Sequence, residues 1–184
     1  MPSPSPLFFV LSGGPCAGKT TAVRELERRG QRVVHEAATE IIEDPRTARL
    51  RHEDPLEFQR RVLDRQLANE ARVLESEVAG DAVFLDRGVA DGFAYLRHNG
   101  EEPFAELLDA WRLVAPRYRA ILMLEQNPDY EDASHRSETA ETARRIAATI
   151  RSEYETRHPL LVTIPWGSVA ERVDRVLAEA EKLA

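Results

Sequence analysis

The stretch LFFVLSGGPCAGKTTAVREL, residues 7–26, limits the folds open to this chain more than any other. Gly13, four intervening residues, then Gly18, Lys19 and Thr20 satisfy the pattern G-x-x-x-x-G-K-[ST]. A continuous apolar run, LFFVL, precedes it, and an amphipathic segment marked by Thr20, Val23 and Leu26 follows. Strand, glycine-rich turn and helix in that order make a loop whose backbone N–H groups point inward at phosphate oxygens, with the helix dipole behind them. Gly13, Gly14, Pro15, Cys16, Ala17, Gly18, Lys19, Thr20 and Thr21 are the expected nucleotide-contacting residues. Lys19 reaches the β and γ phosphates in this reading, and the Thr20 hydroxyl holds Mg²⁺.

The lysine itself is informative. Among the 25 Lys and Arg residues, only Lys19 and Lys182 are lysine. Arginine is a wide planar fork, whereas lysine is a compact charge on a thin stem that can thread into a ring of amides. Cys16 is a small residue filling the tight turn. As the single cysteine, it gives no internal disulfide and no sign of an oxidising compartment.

Further apolar runs, RVVH (32–35), AVFLD (82–86), AILML (120–124) and LLVTI (160–164), read as strands buried on both faces. Helical stripes lie between them. Leu56, Leu63, Leu67, Leu74 and Val78 share a face within 56–78, and Phe104, Leu107, Leu108, Trp111 and Val114 share another. Ile146, Ile150 and Tyr154 recur every four residues, and a last helix over about 168–183 has Ser168 as its N-cap. Five such strands separated by helices predict a three-layer α/β fold on a five-stranded parallel sheet, a P-loop NTPase architecture. Residues 7–184 make one domain, with MPSPSP (1–6) as a disordered tail.

Ligands bind such sheets outside the carboxyl ends of the strands, so the residues just after each strand are the place to look. AVFLDRGVAD ends its strand on Asp86, the expected second Mg²⁺-organising carboxylate beside Thr20. Arg87 follows, where many hydrolytic ATPases carry a water-activating glutamate. A cation there suits stabilisation of a transferring phosphoryl group, and a salt bridge at the sheet rim is the plainer alternative. Asp91 orients Arg87, reaches a substrate hydroxyl or decorates a helix first turn; position alone leaves all three open. Glu36 follows RVVH and either binds an acceptor hydroxyl or starts a helix. Between AILML and the Ile146 stripe, residues 125–145 are polar and irregular, the pattern of a lid. Arg136 is the cation placed to close over the transferred phosphate, whereas Arg145 reads as a solvated helix-face residue.

The net charge of −7 disfavours general nucleic-acid or anionic-membrane binding, and a DNA-associated ATPase with it. No apolar run approaches the ~20 residues that span a bilayer, and the start lacks a signal-peptide pattern, so the expected location is cytoplasmic.

The segments GGPCAGKTT, VVHEAATEII, LDRGVADGFAY and HRSETAETARRIAATIRSEYETRHPLLVTIPWGSVAERVDRVL resemble a small AAA-type P-loop family. That family includes the ribosylnicotinamide kinase domain of NAD-biosynthesis regulators and GTP-binding proteins related to a photoreceptor channel-trafficking factor. The resemblance covers about residues 7 to 180 and implies a fold like that of nucleoside and nucleotide kinases. It also implies nucleotide at Gly13 to Thr21, Mg²⁺ near Thr20 and Asp86, and a phosphoryl acceptor near Glu36 and Asp86. Two functions stay open on this basis. One is a kinase moving the γ-phosphate of ATP or GTP to a small hydroxyl-bearing metabolite such as a nucleoside. The other is a nucleotide-dependent switch with slow hydrolysis that binds a protein or lipid partner.

Overall fold

A computed structural model describes residues 6–75, 81–128 and 139–184. Strand β1 (Leu7–Ser12) leads through the glycine loop into helix α1 (Lys19–Arg28), and β2 (Arg32–Val34) follows. Next come α2 (Ala37–Glu43), α3 (Leu50–Glu53), the long α4 (Pro55–Glu75) and β3 (Ala82–Asp86). The chain continues through α5 (Asp91–His98), α6 (Ala105–Val114), a single 3₁₀ turn and β4 (Tyr118–Leu124). It closes with α7 (Ala140–Arg157), β5 (Leu161–Ile164) and α8 (Val169–Leu183). The strands lie in the order β2-β3-β1-β4-β5, and every neighbouring pair is parallel.

The apolar runs are continuous because both faces of the sheet are covered. Successive strand residues point to opposite sides, so Phe8 and Val10 join one core while Phe9 and Leu11 join the other. The first core packs the sheet against α4, α5, α6 and α7 through Leu63, Phe93, Trp111, Ile146 and Tyr154. The second packs it against α1 and α8 through Val23, Leu26, Val173 and Val176. Ser168 caps α8 in a reciprocal box with Glu171, and Thr139 caps α7 by accepting from the Thr142 N–H.

Central β1 has β3 on one side and β4 on the other, so the crevice at its carboxyl end is the topological switch point of the sheet. The glycine loop leaves β1 at that crevice. No described helix is long and apolar enough to cross a membrane. The predicted tail lies outside the described residues except for Pro6, which is buried. Val78 and Arg136 are also outside them, as is 129–138, the middle of the expected lid.

Candidate active site

The loop between β1 and α1 takes a shape that its sequence makes possible. Gly13 has φ of 143° and Gly18, the N-cap of α1, has φ of 78°, both outside the range that L side chains favour. A Cβ on Gly13 would also lie 2.5 Å from the Leu124 carbonyl oxygen. Cys16 adopts φ of 59° without being glycine and is exposed. Gln126 donates to the Pro15 carbonyl at 2.8 Å, and Arg172 of α8 donates to the Ala17 carbonyl at 2.7 Å and the Glu125 carbonyl at 3.1 Å. The loop is therefore held from two sides by side chains far away in sequence.

Lys19 is buried, and its Nζ donates to the Gly13 and Gly14 carbonyls at 2.9 and 2.7 Å. Burial, aided by the Arg87 charge, lowers its pKa to about 7 against the pull of Asp91, Asp86 and Glu36. Thr20 Oγ1 donates to Asp86 Oδ2 at 2.9 Å across the β1–β3 crevice. The other carboxylate oxygen, Oδ1, is buried with no hydrogen-bond partner among the described residues, and burial raises the pKa of the group.

Arg87 is the junction of the site. Its φ of 74° is left-handed, a conformation that costs a non-glycine residue about 1–2 kcal/mol. The Arg87 N–H bonds to the Leu11 carbonyl at 2.9 Å, which fixes the turn, and the guanidinium lies against the Tyr95 ring at 5.2 Å. From there it pairs with Glu36 at the start of α2 and with Asp91 at 3.0 Å. Burial works against ionisation of Glu36, but Arg87, Lys19 and Thr39 outweigh it and lower the pKa below the usual value. Asp91 is 3 % exposed and accepts from Ser12 Oγ at 3.0 Å, Tyr154 Oη at 2.8 Å and the Gly88 N–H at 3.2 Å. It is an internal clamp on Arg87, which separates it from ordinary first-turn helix decoration.

Beside this cluster opens a cavity of about 550 Å³. Pro15 and Cys16 of the loop line it, together with Glu36, Arg87 and Asp91 of the cluster and Phe58, Gln59, Leu63 and Gln66 of α4. Thr139, Thr142 and Ile146 of α7 contribute to it too, while Arg144 and Arg145 sit on the exposed face of that helix.

The AAA domain family model matches residues 8–172. The chain belongs to the AAA domain family. Solved structures place this AAA domain among kinase-like P-loop folds. It aligns with a NadR protein in complex with NR at a TM-score of 0.68 and 18% identity, over 96% of this chain and 51% of that one. Thymidylate kinase from Ehrlichia chaffeensis aligns at 0.66 and 14% identity, over 96% and 100% of the two chains. Deoxyadenosine kinase from M. mycoides aligns at 0.63 and 11% identity, again over 96% and 100%. At such identities the likeness speaks for the fold. No curated protein matches the sequence significantly.

The loop residues, Lys19, Thr20, Glu36, Asp86, Arg87 and Asp91 thus come together at the carboxyl edge of the sheet. Sequence reading alone passed over Tyr154, Gln59, Gln66 and Arg172 as site residues, and gave Ser12 no role beyond its place after β1. Tyr154 was legible only as a core stripe member. The glutamines did leave a trace: 59, 63, 66 and 70 fall on one face of α4, and three of those four are polar in a buried stripe.

Proposed function

We propose that this AAA domain is a kinase that transfers the γ-phosphate of ATP or GTP to a small hydroxyl-bearing metabolite of nucleoside size. The observation that carries the reading is the joining of a phosphate loop to a neighbouring cavity through the Glu36–Arg87–Asp91 cluster. A hydrolase needs room for one water, whereas 550 Å³ is room for a second organic substrate.

In this reading the loop amides and Lys19 hold the donor phosphates, and a bound phosphate draws the Lys19 ammonium away from the loop carbonyls. The oxygens of Thr20 and Asp86 fit Mg²⁺, a hard cation, and the orphaned Asp86 Oδ1 is the group that most needs such a partner. Bound there, Mg²⁺ neutralises charge on the phosphates. Glu36, ionised and facing the cavity, accepts the hydrogen bond of the acceptor hydroxyl and orients it toward the donor. Arg87 stabilises charge on the transferring group, with Asp91 fixing its direction.

A screen with γ-labelled ATP and GTP over nucleosides and small alcohols tests this. Label appearing in an organic phosphate ester supports the kinase reading. Label appearing only as inorganic phosphate overturns it in favour of a nucleotide-dependent switch.

A further inference from the structure

The cavity wall formed by α4 is backed by a hydrogen-bond relay that the proposed transfer does not use. Glu70 of α4 is 1 % exposed, and its Oε1 accepts from Gln66 Nε2 at 2.8 Å and from Tyr118 Oη at 2.7 Å. Tyr118 Oη in turn accepts from the Val89 N–H at 3.3 Å. A buried carboxyl group with so few partners is a poor way to fill a core, so its retention calls for a role.

The direction of this relay is set at its far end. A backbone N–H can only donate, so the phenol oxygen that accepts it must send its own proton to Glu70 Oε1. That oxygen is then an acceptor for Gln66 as well, and only the amide NH₂ can satisfy it. The carbonyl end of Gln66 is thereby left for the cavity that this residue lines. Two turns toward the N-terminus of α4, Gln59 lines the same cavity, is 7 % exposed and makes no hydrogen bond among the described residues. One amide is locked and the other is free to turn.

We propose that Glu70 is a positioning residue that holds the Gln66 carbonyl toward the cavity. This end of the pocket then selects an acceptor carrying an amide or amino N–H remote from the hydroxyl that receives phosphate. Phe58, Leu63 and Leu107 supply an apolar wall for the body of such a molecule. Gln59 turns to match whichever polar group lies next to that N–H. The inference rests on the acceptor-pocket reading above and adds the chemistry of the substrate's buried edge.

Two charge-matched pairs serve as probes in calorimetry: neutral adenosine against purine riboside, and cationic nicotinamide riboside against its methyl-ester analogue. The wild-type protein is expected to bind the N–H-bearing member about tenfold more tightly in at least one pair, since its partner leaves a desolvated carbonyl unpaired. Gln66→Leu should bring the two members within about threefold, and Glu70→Leu should do the same by freeing the amide to turn. Glu70→Gln should keep the preference, because its amide oxygen can take the same two hydrogen bonds. If Glu70→Leu does not fold, Gln66→Leu and the side-chain NH₂ resonances of Gln66, expected to be slow in solvent exchange, carry the decision. Equal binding within both pairs, or a preference that survives Gln66→Leu, overturns this inference and leaves the kinase reading standing. Failure of all four probes to bind a protein that binds nucleotide overturns this inference, and the label-transfer screen decides the kinase reading separately.

Discussion

The two faces of the sheet are built on different terms. The face covered by α1 and α8 is dry apart from Lys19 and Arg172, which bond the loop: Phe9, Leu11, Leu122 and Leu124 meet Val23, Leu26, Val173 and Val176. The face covered by α4 to α7 holds a comparable apolar set but interrupts it with Gln59, Gln66, Glu70, Asp91 and Tyr154. On the dry face the strands supply packing alone, and stability follows from apolar area removed from water. On the other face buried polar groups must be paired, and their pairs hold a cavity open beside the phosphate loop. The lesson is a division of labour: one layer anchors the loop, and the other gives up packing density for a shaped space.

Substitutions on the two faces should therefore separate stability from activity. The largest effect belongs to the loop that both faces support. Lys19→Ala should abolish measurable nucleotide binding in calorimetry, and Lys19→Arg should not restore full turnover. Normal turnover in the arginine variant would defeat the steric argument for a thin cation. On the dry face, Leu122→Ala should cost about 2–5 kcal/mol in denaturant unfolding, while KM for nucleotide stays unchanged wherever the protein remains folded. A large KM change would show that this layer is not merely an anchor.

Tyr154→Phe sharpens the contrast from the other side. It removes one hydrogen bond to Asp91 and should cost about 1 kcal/mol of stability. Phosphoryl transfer should fall by more than that figure implies, because the Arg87 clamp loosens. The smallest effect is a pH dependence at Glu70. Burial raises its pKa above the ordinary 4.5, so the folded state holds that proton more tightly than the unfolded chain does. The associated stability is fully present below about pH 4.5 and is lost as pH rises through the folded pKa. Glu70→Gln should therefore gain thermal stability relative to wild type as pH increases from about 4 to 7, with the difference vanishing at the acid end. A constant difference across that range would contradict a buried titrating carboxyl group.

How much of this was readable beforehand differs between the layers in the same way. LFFVL, AVFLD and AILML announce doubly covered parallel strands, and GGPCAGKT announces the loop, because both depend on local pattern. Ser168 as a cap was legible for the same reason, and its box with Glu171 confirms it. β4 proved longer than its apolar core, since Tyr118 and Arg119 extend it. Helices α2, α3 and α5 carried no separate periodic stripe strong enough to define them; they are short and rest on tertiary contacts. Glu36, Asp86, Arg87 and Asp91 were found by position after strands, and Asp91 orienting Arg87 was one of three readings open at that position; the Glu36–Arg87 pair was not visible, because it joins residues 36 and 87. The Val89–Tyr118–Glu70–Gln66 relay lay deeper still. Each member reads alone as a core or surface residue, and only the fold makes a directed chain of them.

The most direct test is a two-step NMR titration of the amide backbone. A nonhydrolysable nucleotide with Mg²⁺ is added first, and then the nucleoside that takes up label in the transfer screen. The second addition should shift resonances at Glu36, Gly88 to Gly92, and Gln59 to Gln66, and leave Leu26, Val173 and Val176 unmoved. Shifts confined to the α1–α8 layer, or none after nucleotide is bound, would contradict the claim that the cavity beside the phosphate loop receives the acceptor.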